Sequence, residues 1–136
     1  MAIKFYKDIG KKLVEPKLFS EIAEQTAERI ASSGQVPTRD GKPRLEKNKR
    51  TQLRKFYDEV IRLNTIVKSK PEDFEIVLPY INMLIAKAAY ADGRKLVTQD
   101  FVIFLKECVG QVQAADDFDV FASFFESFMG FYKKYE

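Results

Sequence analysis

Hydrophobic residues recur at spacings of three and four along most of this chain, which is the pattern of amphipathic helices. The period begins at residue 17, and the alternation typical of a strand is confined to "IKFY" at residues 3–6. The 136 residues fit one domain, and 46% of them are hydrophobic, enough to build a core. The pattern predicts an all-α protein, a compact single-domain bundle of five to six helices.

An N-terminal arm, residues 1–15, precedes the first predicted helix, which follows Pro16. That helix is expected to end at Gly34, because glycine readily takes the left-handed conformation found after many helices. Residues 34–47 contain two prolines, two glycines and no hydrophobic period, so they predict a basic, flexible loop. Residues 48–136 form the helical core of the predicted domain.

The second predicted helix covers residues 48–67 or 51–67. Its hydrophobic arc consists of Leu53, Phe56, Tyr57, Val60, Leu63 and Val67. At about 100° per residue, Arg54, Lys55 and Arg62 fall on the opposite arc. The helix therefore has one face for the core and one largely basic face.

Two features divide the segment that follows. Ser69 and Glu72 have the spacing of a capping box, which predicts a helix start. Pro79 costs about 3 kcal/mol inside a helix. We therefore expect a short helix up to Val77 and a second one, with Pro79 in its first turn, that ends at Gly93.

The last two helices are predicted to start at Thr98 and at Asp116 or Asp117, all residue types that cap helices. The final helix carries an aromatic stripe of Phe118, Phe121, Phe125, Phe128 and Tyr132. Phe124 and Phe131 fall off this stripe. Because exposed apolar groups mark protein interfaces, these two rings are predicted to form a subunit interface, with core packing as the alternative.

Charge is distributed unevenly along the chain. Residues 39–55 contain eight basic residues against two acidic ones, a local net charge of +6, whereas the other 119 residues carry 15 basic and 18 acidic ones. A protein of overall charge +3 with one focused basic segment suits the binding of a polyanion at a defined place.

The basic segment continues into the start of the second helix, where cations oppose the helix dipole and cost about 0.3–1 kcal/mol each. A bound phosphate reverses this effect, because the dipole, the free N–H groups and the basic side chains all attract it. The candidate phosphate-binding residues are Lys49, Arg50, Arg54 and Lys55. The alternative is a solvated basic loop that contributes only solubility.

A second basic group follows in "AKAAYADGRK", with Lys87, Arg94 and Lys95 at a predicted helix end. Cations also suit the C-terminal end of the helix dipole, so a purely structural role is equally open. Tyr57 and Tyr90 have side chains that can stack on bases, but their spacing favours packing in the core.

Several kinds of chemistry are excluded by composition. The chain has no histidine and one cysteine, which excludes histidine-based catalysis, the commonest zinc ligand and an internal disulfide. Cys108 has the spacing of a buried structural thiol. Asp116, Asp117 and Asp119 lie at a helix start, where carboxylates serve as caps. We therefore expect no enzyme activity, no cofactor and no metal.

The sequence also bears on location in the cell. No apolar run approaches the roughly 20 residues that cross a bilayer. The N-terminal residues lack the apolar stretch of a secretory signal. We expect a cytoplasmic protein without a membrane partner.

Three stretches carry a family resemblance: "QLRKFYDEV" (52–60), "VLPYINMLIAKAAYADGRK" (77–95) and "FFESFMGFYKKY" (124–135). In this order, in a small helical chain, they resemble the small subunit of the type III-A CRISPR effector, the Csm complex. The resemblance covers residues 48–136. It implies a non-catalytic building block of antiviral defence, with RNA and DNA cleavage carried out by other subunits.

The resemblance further implies that several copies stack head to tail beside the backbone and large subunits and hold the crRNA and the target RNA. A subunit repeated along a guide must accept any sequence, so it should contact phosphates rather than base edges. The predicted RNA-binding residues are Lys49, Arg50, Arg54, Lys55, Arg62, Lys87, Arg94 and Lys95. Phe124 and Phe131 are the candidates for the contact between copies.

Two other functions remain open from the sequence. One is a small all-α DNA-binding regulator that uses residues 51–67 as a recognition helix, although that motif needs a tight turn after the preceding helix. The other is a protein-interaction adaptor whose basic segment meets an acidic partner.

Overall fold

The computed structural model describes residues 2–135, which fold into five α-helices and two small β-hairpins. The helices are α1 (Ala23–Gly34), α2 (Arg50–Ser69), α3 (Phe74–Gly93), α4 (Gln99–Val109) and α5 (Ala115–Tyr132). The antiparallel hairpins pair β1 (Tyr6–Asp8) with β2 (Leu13–Val14), and β3 (Gln35–Val36) with β4 (Arg44–Leu45). The predicted all-α class is confirmed.

Helix α5 lies at the centre of the bundle, with α1 and α2 packed on it, while α3 packs on α4 and α2. Its aromatic stripe is completely buried, as predicted. The ring of Phe104, in α4, lies 5.4 Å from that of Phe125 and 5.0 Å from that of Phe128. Burying a side chain of this size contributes about 1.5–3 kcal/mol, so the aromatic cluster supplies much of the core.

Phe124 belongs to this core and not to the surface. Its side chain is completely buried, with ring centroids 6.2 Å from Phe5 and 6.1 Å from Phe104. The prediction that Phe124 lies at a subunit interface is therefore wrong, because the N-terminal segment and α4 cover the side of α5 that carries it. Phe131 is half-buried and stays a candidate.

The N-terminal residues are bound to the bundle by specific contacts. Ile3 and Phe5 are buried. The N–H of Ile3 donates to Glu107 Oε2 at 2.9 Å, and the N–H of Phe5 donates to Gln111 Oε1 at 2.9 Å. Lys12 Nζ donates to Asp117 Oδ1 at 2.6 Å. The segment therefore completes the core beside α4 and α5.

The end of α1 differs from the prediction. Gly34 remains in the helix without the left-handed backbone expected of it. Glycine is required there for a different reason: a Cβ atom on Gly34 would lie 2.3 Å from the carbonyl oxygen of Lys47. The Gly34 carbonyl accepts the N–H groups of Glu46 and Lys47, at 2.9 and 3.1 Å. The predicted loop at residues 34–47 thus folds back as the β3–β4 hairpin.

Helix α3 is continuous through Pro79, contrary to the predicted break. The proline removes the hydrogen bond to the carbonyl of Glu75, four residues earlier. Both residues are exposed, so water can satisfy that carbonyl. Burial of Val77, Ile81 and Leu84 on the inner side offsets the remaining cost.

Helix starts were predicted less well than helix faces. Ser69 ends α2 instead of capping the next helix, and a 3₁₀ turn, Pro71–Asp73, leads into α3. Thr98 is the N-cap of α4, as predicted, without a side-chain capping bond. The N-cap of α5 is Ala114, not an aspartate, because Asp117 reaches back from inside the helix.

Two further findings concern single elements. Cys108 is completely buried, and burial raises the pKa of its thiol well above the ordinary value, which confirms the predicted structural thiol. Within residues 2–135, Pro71–Gly93 is the segment long and apolar enough to span a membrane, with a mean hydropathy of 1.2. This is weak evidence for a span, because a core helix passes the same test. Helix α3, which makes up most of this segment, packs on α4 and α2.

Candidate nucleic-acid interface

The start of α2 is fixed by Asn48, a completely buried residue with a left-handed backbone, φ 58°. Asparagine adopts this conformation more readily than most residues. Its Nδ2 donates to the Ile30 carbonyl at 3.0 Å and the Thr98 hydroxyl at 2.7 Å. Its own carbonyl accepts the hydroxyl of Tyr132 at 2.7 Å. Asn48 thereby joins α1, α4 and α5 to the point where α2 begins.

The first turn of α2 carries basic side chains and no acidic one. Lys49 is the N-cap, makes no side-chain capping bond, and is followed by no acidic residue in that turn. A groove of about 640 Å³ opens here. Its basic lining residues are Arg44, Lys49, Arg50 and Lys134. We call it the helix-start groove; its N–H groups, dipole and cations together attract an anion.

A smaller cleft adjoins the helix-start groove on the side of α5. This α2/α5 cleft, of about 240 Å³, is lined by Arg50, Arg54 and Lys133 with Tyr57, Met129 and Gly130. Arg50 lines both cavities, so the basic surface continues from one to the other. The Tyr57 ring packs against Phe125 at 5.6 Å, which agrees with the core packing predicted for it.

On its other flank, α2 forms a cleft with α3. This α2/α3 cleft, of about 330 Å³, contains Lys55, Lys87 and Arg94, together with Tyr90 and Glu59. The sequence presents these cations as two separate groups, more than 30 positions apart. The packing of α2 against α3 brings them to one cavity.

Two other predicted residues lie outside the cavities. Arg62 is exposed but engaged, since its Nε and Nη2 donate to the two carboxylate oxygens of Glu59 at 2.9 and 2.8 Å. Lys95 is exposed in the turn after α3, with φ 63°. Both side chains are accessible to a polyanion, but the charge of Arg62 is partly neutralised by Glu59.

Glu59 is the acidic member of this surface. The hydrogen bonds from Arg62 lower the pKa of its carboxyl, and the charge of Lys87, whose Nζ lies 3.6 Å from Glu59 Oε2, lowers it further. These effects outweigh partial burial, which acts in the opposite direction. The carboxylate is thus held ionised between two cations.

Sequence reasoning missed three contributors to this interface. Lys133 and Lys134 follow α5 and line two of the cavities; two lysines directly after the aromatic helix were the available signal. Asn48 was considered only as a helix start, and nothing in the local sequence indicates its distant partners. The buried hydrogen bonds become visible only once the helices are assembled.

The remaining polar groups offer no reactive arrangement that we can identify. Among residues 2–135 there is no group of three or more Cys, Asp or Glu side chains placed to hold a metal ion. Asp117 and Asp116 are engaged at the start of α5 and with Lys12. The site can bind anions through N–H groups and cations.

Comparison with known proteins gives one match. A family model described as Csm2 Type III-A matches residues 15–136. Searches of curated proteins and of solved structures returned no match. The matched region includes α1, the β3–β4 hairpin and every basic residue that lines the three cavities.

Proposed function

Because the chain belongs to the Csm2 type III-A family and is thus a small subunit of the type III-A CRISPR effector, we propose that it grips the phosphate backbone of RNA without reading sequence. The observation that supports this most directly is the assembly of distant basic residues around the first turns of α2. Arg44 comes from β4, Arg54 from α2, Lys87 from α3, and Lys134 from the 3₁₀ turn Lys133–Tyr135 that follows α5. The subunit has no catalytic role and works in the cytoplasm.

The expected binding mode is electrostatic. Phosphates enter the helix-start groove and the α2/α5 cleft, where cations and the N–H groups of α2 meet them. The RNA strand then passes the exposed residues Arg54 and Lys55 of α2 and reaches the α2/α3 cleft. Contacts of this kind fix position and carry no sequence information, as a subunit repeated along a crRNA and its target RNA requires.

The family's association with other Csm subunits needs protein-binding surfaces in addition to the RNA path. For stacking of copies head to tail, two different faces must meet. Phe131 lies near the start of α2, whereas Ile76 and Tyr80 are exposed near its far end, about 28 Å away along the 20-residue helix. Lys133 accompanies Phe131, and acidic residues, Glu72, Asp73 and Glu75, accompany Ile76. Lys68 and Lys70 offset two of these carboxylates, Lys70 lying 4.0 Å from Asp73, so the Ile76 end keeps a small negative excess opposite the basic Phe131 end.

A salt titration of RNA binding tests the main proposal. The purified chain should bind single-stranded RNA of any sequence, with an affinity that falls steeply as salt rises. Arg54→Gln with Lys55→Gln should weaken binding and reduce the slope of log K against log salt by about 1.4, or about 0.7 for each phosphate contact. Fluorescence anisotropy with labelled RNA measures both quantities.

The matched control removes two charges elsewhere. Lys4 and Lys106 are exposed and lie outside the three cavities, so Lys4→Gln with Lys106→Gln should keep the wild-type slope. Equal losses in both double variants would mean that net charge alone drives binding. A strong preference for one RNA sequence would contradict the proposal.

Co-purification tests the proposed stacking. Phe131→Ser and Ile76→Ser should each give a folded chain that enters the effector poorly, while Ile103→Ser, an exposed apolar residue on α4, should enter normally. Normal incorporation of the first two variants would place the contact between copies elsewhere.

The two alternative functions are separated by simpler observations. A recognition-helix regulator needs a tight turn before α2, but residues 35–49, with the β3–β4 hairpin, separate α1 from α2. An adaptor would keep its partners in a pull-down after nuclease treatment, whereas an RNA-dependent association would be lost.

A further inference from the structure

Tyr90 stands apart from the other aromatic residues near the basic surface. Its spacing predicted a place in the core, yet 68% of its surface is exposed. The ring lies in the α2/α3 cleft beside Lys55 and Lys87. A large aromatic side chain left open beside cations is the arrangement by which proteins hold single-stranded nucleic acid, with bases on the ring and phosphates on the cations.

We propose that the α2/α3 cleft is a one-nucleotide subsite, in which a base of single-stranded RNA stacks on Tyr90 and the adjoining phosphates contact Lys55 and Lys87. This inference rests on the proposed RNA-binding function and adds a base contact to it. Stacking keeps the binding independent of sequence, because every base offers a π-face.

The ring is held in a suitable orientation. The Arg94 guanidinium lies over the ring of Tyr90, 5.9 Å from its centroid, within the range of a cation–π contact. Arg94 is the C-cap of α3, four positions after Tyr90, and side chains at this spacing are neighbours. Arg94 limits the motion of the ring, and the exposed fraction leaves room for a base.

The cavity also has a suitable shape and lining. Its floor is apolar, formed by Phe56, Leu84 and Ala91, all buried. Its volume of about 330 Å³ lies at the low end of the about 300–1,000 Å³ typical of small-molecule sites. The cleft contains three cations and one carboxylate, Glu59, so its net charge is positive. An apolar floor and a positive charge suit a flat base joined to phosphates.

Tyr57 shows what the subsite requires. Tyr57 follows Phe56 in the sequence, but its side chain is half-buried. Its ring packs against that of Phe125, with the ring centroids 5.6 Å apart. Less of its side chain is therefore open to a base than at Tyr90, which is 68% exposed. Tyr90 differs because α3 is covered by α2 and α4 on its inner side only.

The test compares Tyr90→Leu and Tyr90→Phe in the full chain. The probe is an oligouridine that contains one 2-aminopurine ribonucleotide, whose fluorescence falls when it stacks. Tyr90→Leu should weaken binding about 10-fold, the effect of losing one stacked base, abolish the quenching and leave the salt slope unchanged. Tyr90→Phe should behave as the wild type. Phe19→Leu, which also changes an exposed aromatic residue but lies outside the three cavities, is the matched control.

A second probe separates this inference from the proposed function. An RNA of abasic riboses keeps the phosphates, so it should bind wild type and Tyr90→Leu equally well. If Tyr90→Leu binds oligouridine as tightly as the wild type does, or if its salt slope falls, the stacking subsite is wrong and phosphate binding stands. If the wild type binds neither RNA, the proposed function fails, and the subsite fails with it.

Discussion

Helices α2 and α5 begin in opposite ways. The start of α5 carries Asp116 and Asp117, and the buried Asp117 carboxylate accepts the N–H groups of Gln113 and Ala114 at 3.0 and 3.1 Å. The start of α2 has Lys49 as its N-cap and no acidic residue in its first turn. Negative charge suits a helix start and positive charge opposes it. The charges of α5 are explained by folding, whereas those of α2 are not, and they are the reason for proposing a phosphate ligand there.

The comparison also shows how an unfavourable helix start is maintained. At α5 the carboxylate itself stabilises the helix, assisted by Lys12. At α2 the stabilising contacts come from Asn48, one residue before the N-cap, and they lie inside the protein. The side chain of Lys49, the N-cap, makes no capping bond, so the helix start does not depend on it. Five experiments test this difference.

The largest effect is expected for Asn48→Ala. The substitution removes the side-chain bonds to Ile30 and Thr98, each worth about 1 kcal/mol, leaves buried partners unsatisfied, and places alanine in a left-handed conformation. The free energy of unfolding should fall by about 3 kcal/mol or more, measured by urea denaturation. Asn82→Ala, at an exposed site on α3, should change it by less than about 0.5 kcal/mol. A loss below about 1 kcal/mol for Asn48→Ala would show that α2 is fixed by other contacts.

At the start of α5, Asp117→Asn should cost about 2 kcal/mol, because hydrogen bonds to a charged group contribute more than neutral ones. Its carboxylate bonds Lys12 and Tyr6 as well as the helix start. Glu126→Gln, on the exposed side of the same helix, is the control and should be nearly neutral. Equal effects at both positions would remove the contrast with α2.

The same carboxylate predicts a dependence on pH. Burial alone would raise the pKa of Asp117, but hydrogen bonds from Lys12 and Tyr6, with that from Gln113, outweigh it and lower the pKa. The stabilisation is therefore present above the unfolded pKa of about 3.9 and is lost as pH falls through the lower folded value. Urea midpoints measured between about pH 5 and pH 2 should fall less steeply in Asp117→Asn than in wild type. Parallel curves would mean that other carboxyls dominate acid unfolding.

A smaller change, of opposite sign, is expected for Lys49→Asp. Its backbone already has the extended conformation of an N-cap, so aspartate should accept a first-turn N–H and stabilise the chain by about 1 kcal/mol. RNA binding should weaken at the same time, since the helix-start groove loses a cation and gains an anion. Thermal melts and anisotropy measure the two effects. If the variant is stabilised and its RNA affinity is unchanged, the helix-start groove is not part of the RNA path.

The smallest effect on stability is expected for Arg54→Gln with Lys55→Gln. Both side chains are exposed in the second turn of α2, beyond the reach of most of the dipole effect, and the Arg54–Asp58 pair, at 3.6 Å on the surface, is worth little. The free energy of unfolding obtained from circular-dichroism melts should change by less than about 0.5 kcal/mol, although the RNA affinity is expected to fall. A large destabilisation would show that these residues support the fold.

The parts of the fold that depend on local sequence could be predicted. The hydrophobic arc of α2 is buried as expected because helical periodicity determines which residues share a face. Local rules failed where tertiary contacts override them. Pro79 stays within α3 because both it and the freed carbonyl face solvent, and Gly34 is dictated by the approach of Lys47.

The candidate site was predictable in its residue types and less so in its arrangement. Charge clustering identified Arg54 and Lys55, but the meeting of Lys55 with Lys87 depends on how α3 packs on α2. The environment of Phe124 depends on Phe5, over a hundred positions earlier, and no helical period encodes that. Tyr90 is exposed because only one side of α3 is covered, which again is a property of the assembled bundle.

The buried thiol of Cys108 makes the opening of the bundle measurable. It is the one cysteine of the chain, its side chain is completely enclosed, and its raised pKa keeps it protonated. A thiol reagent reacts with the thiolate and needs access, so labelling can proceed only when the core opens. The labelling rate of the unmodified protein therefore reports how often the bundle opens, and its slowing upon assembly would measure how firmly neighbouring subunits hold the bundle closed.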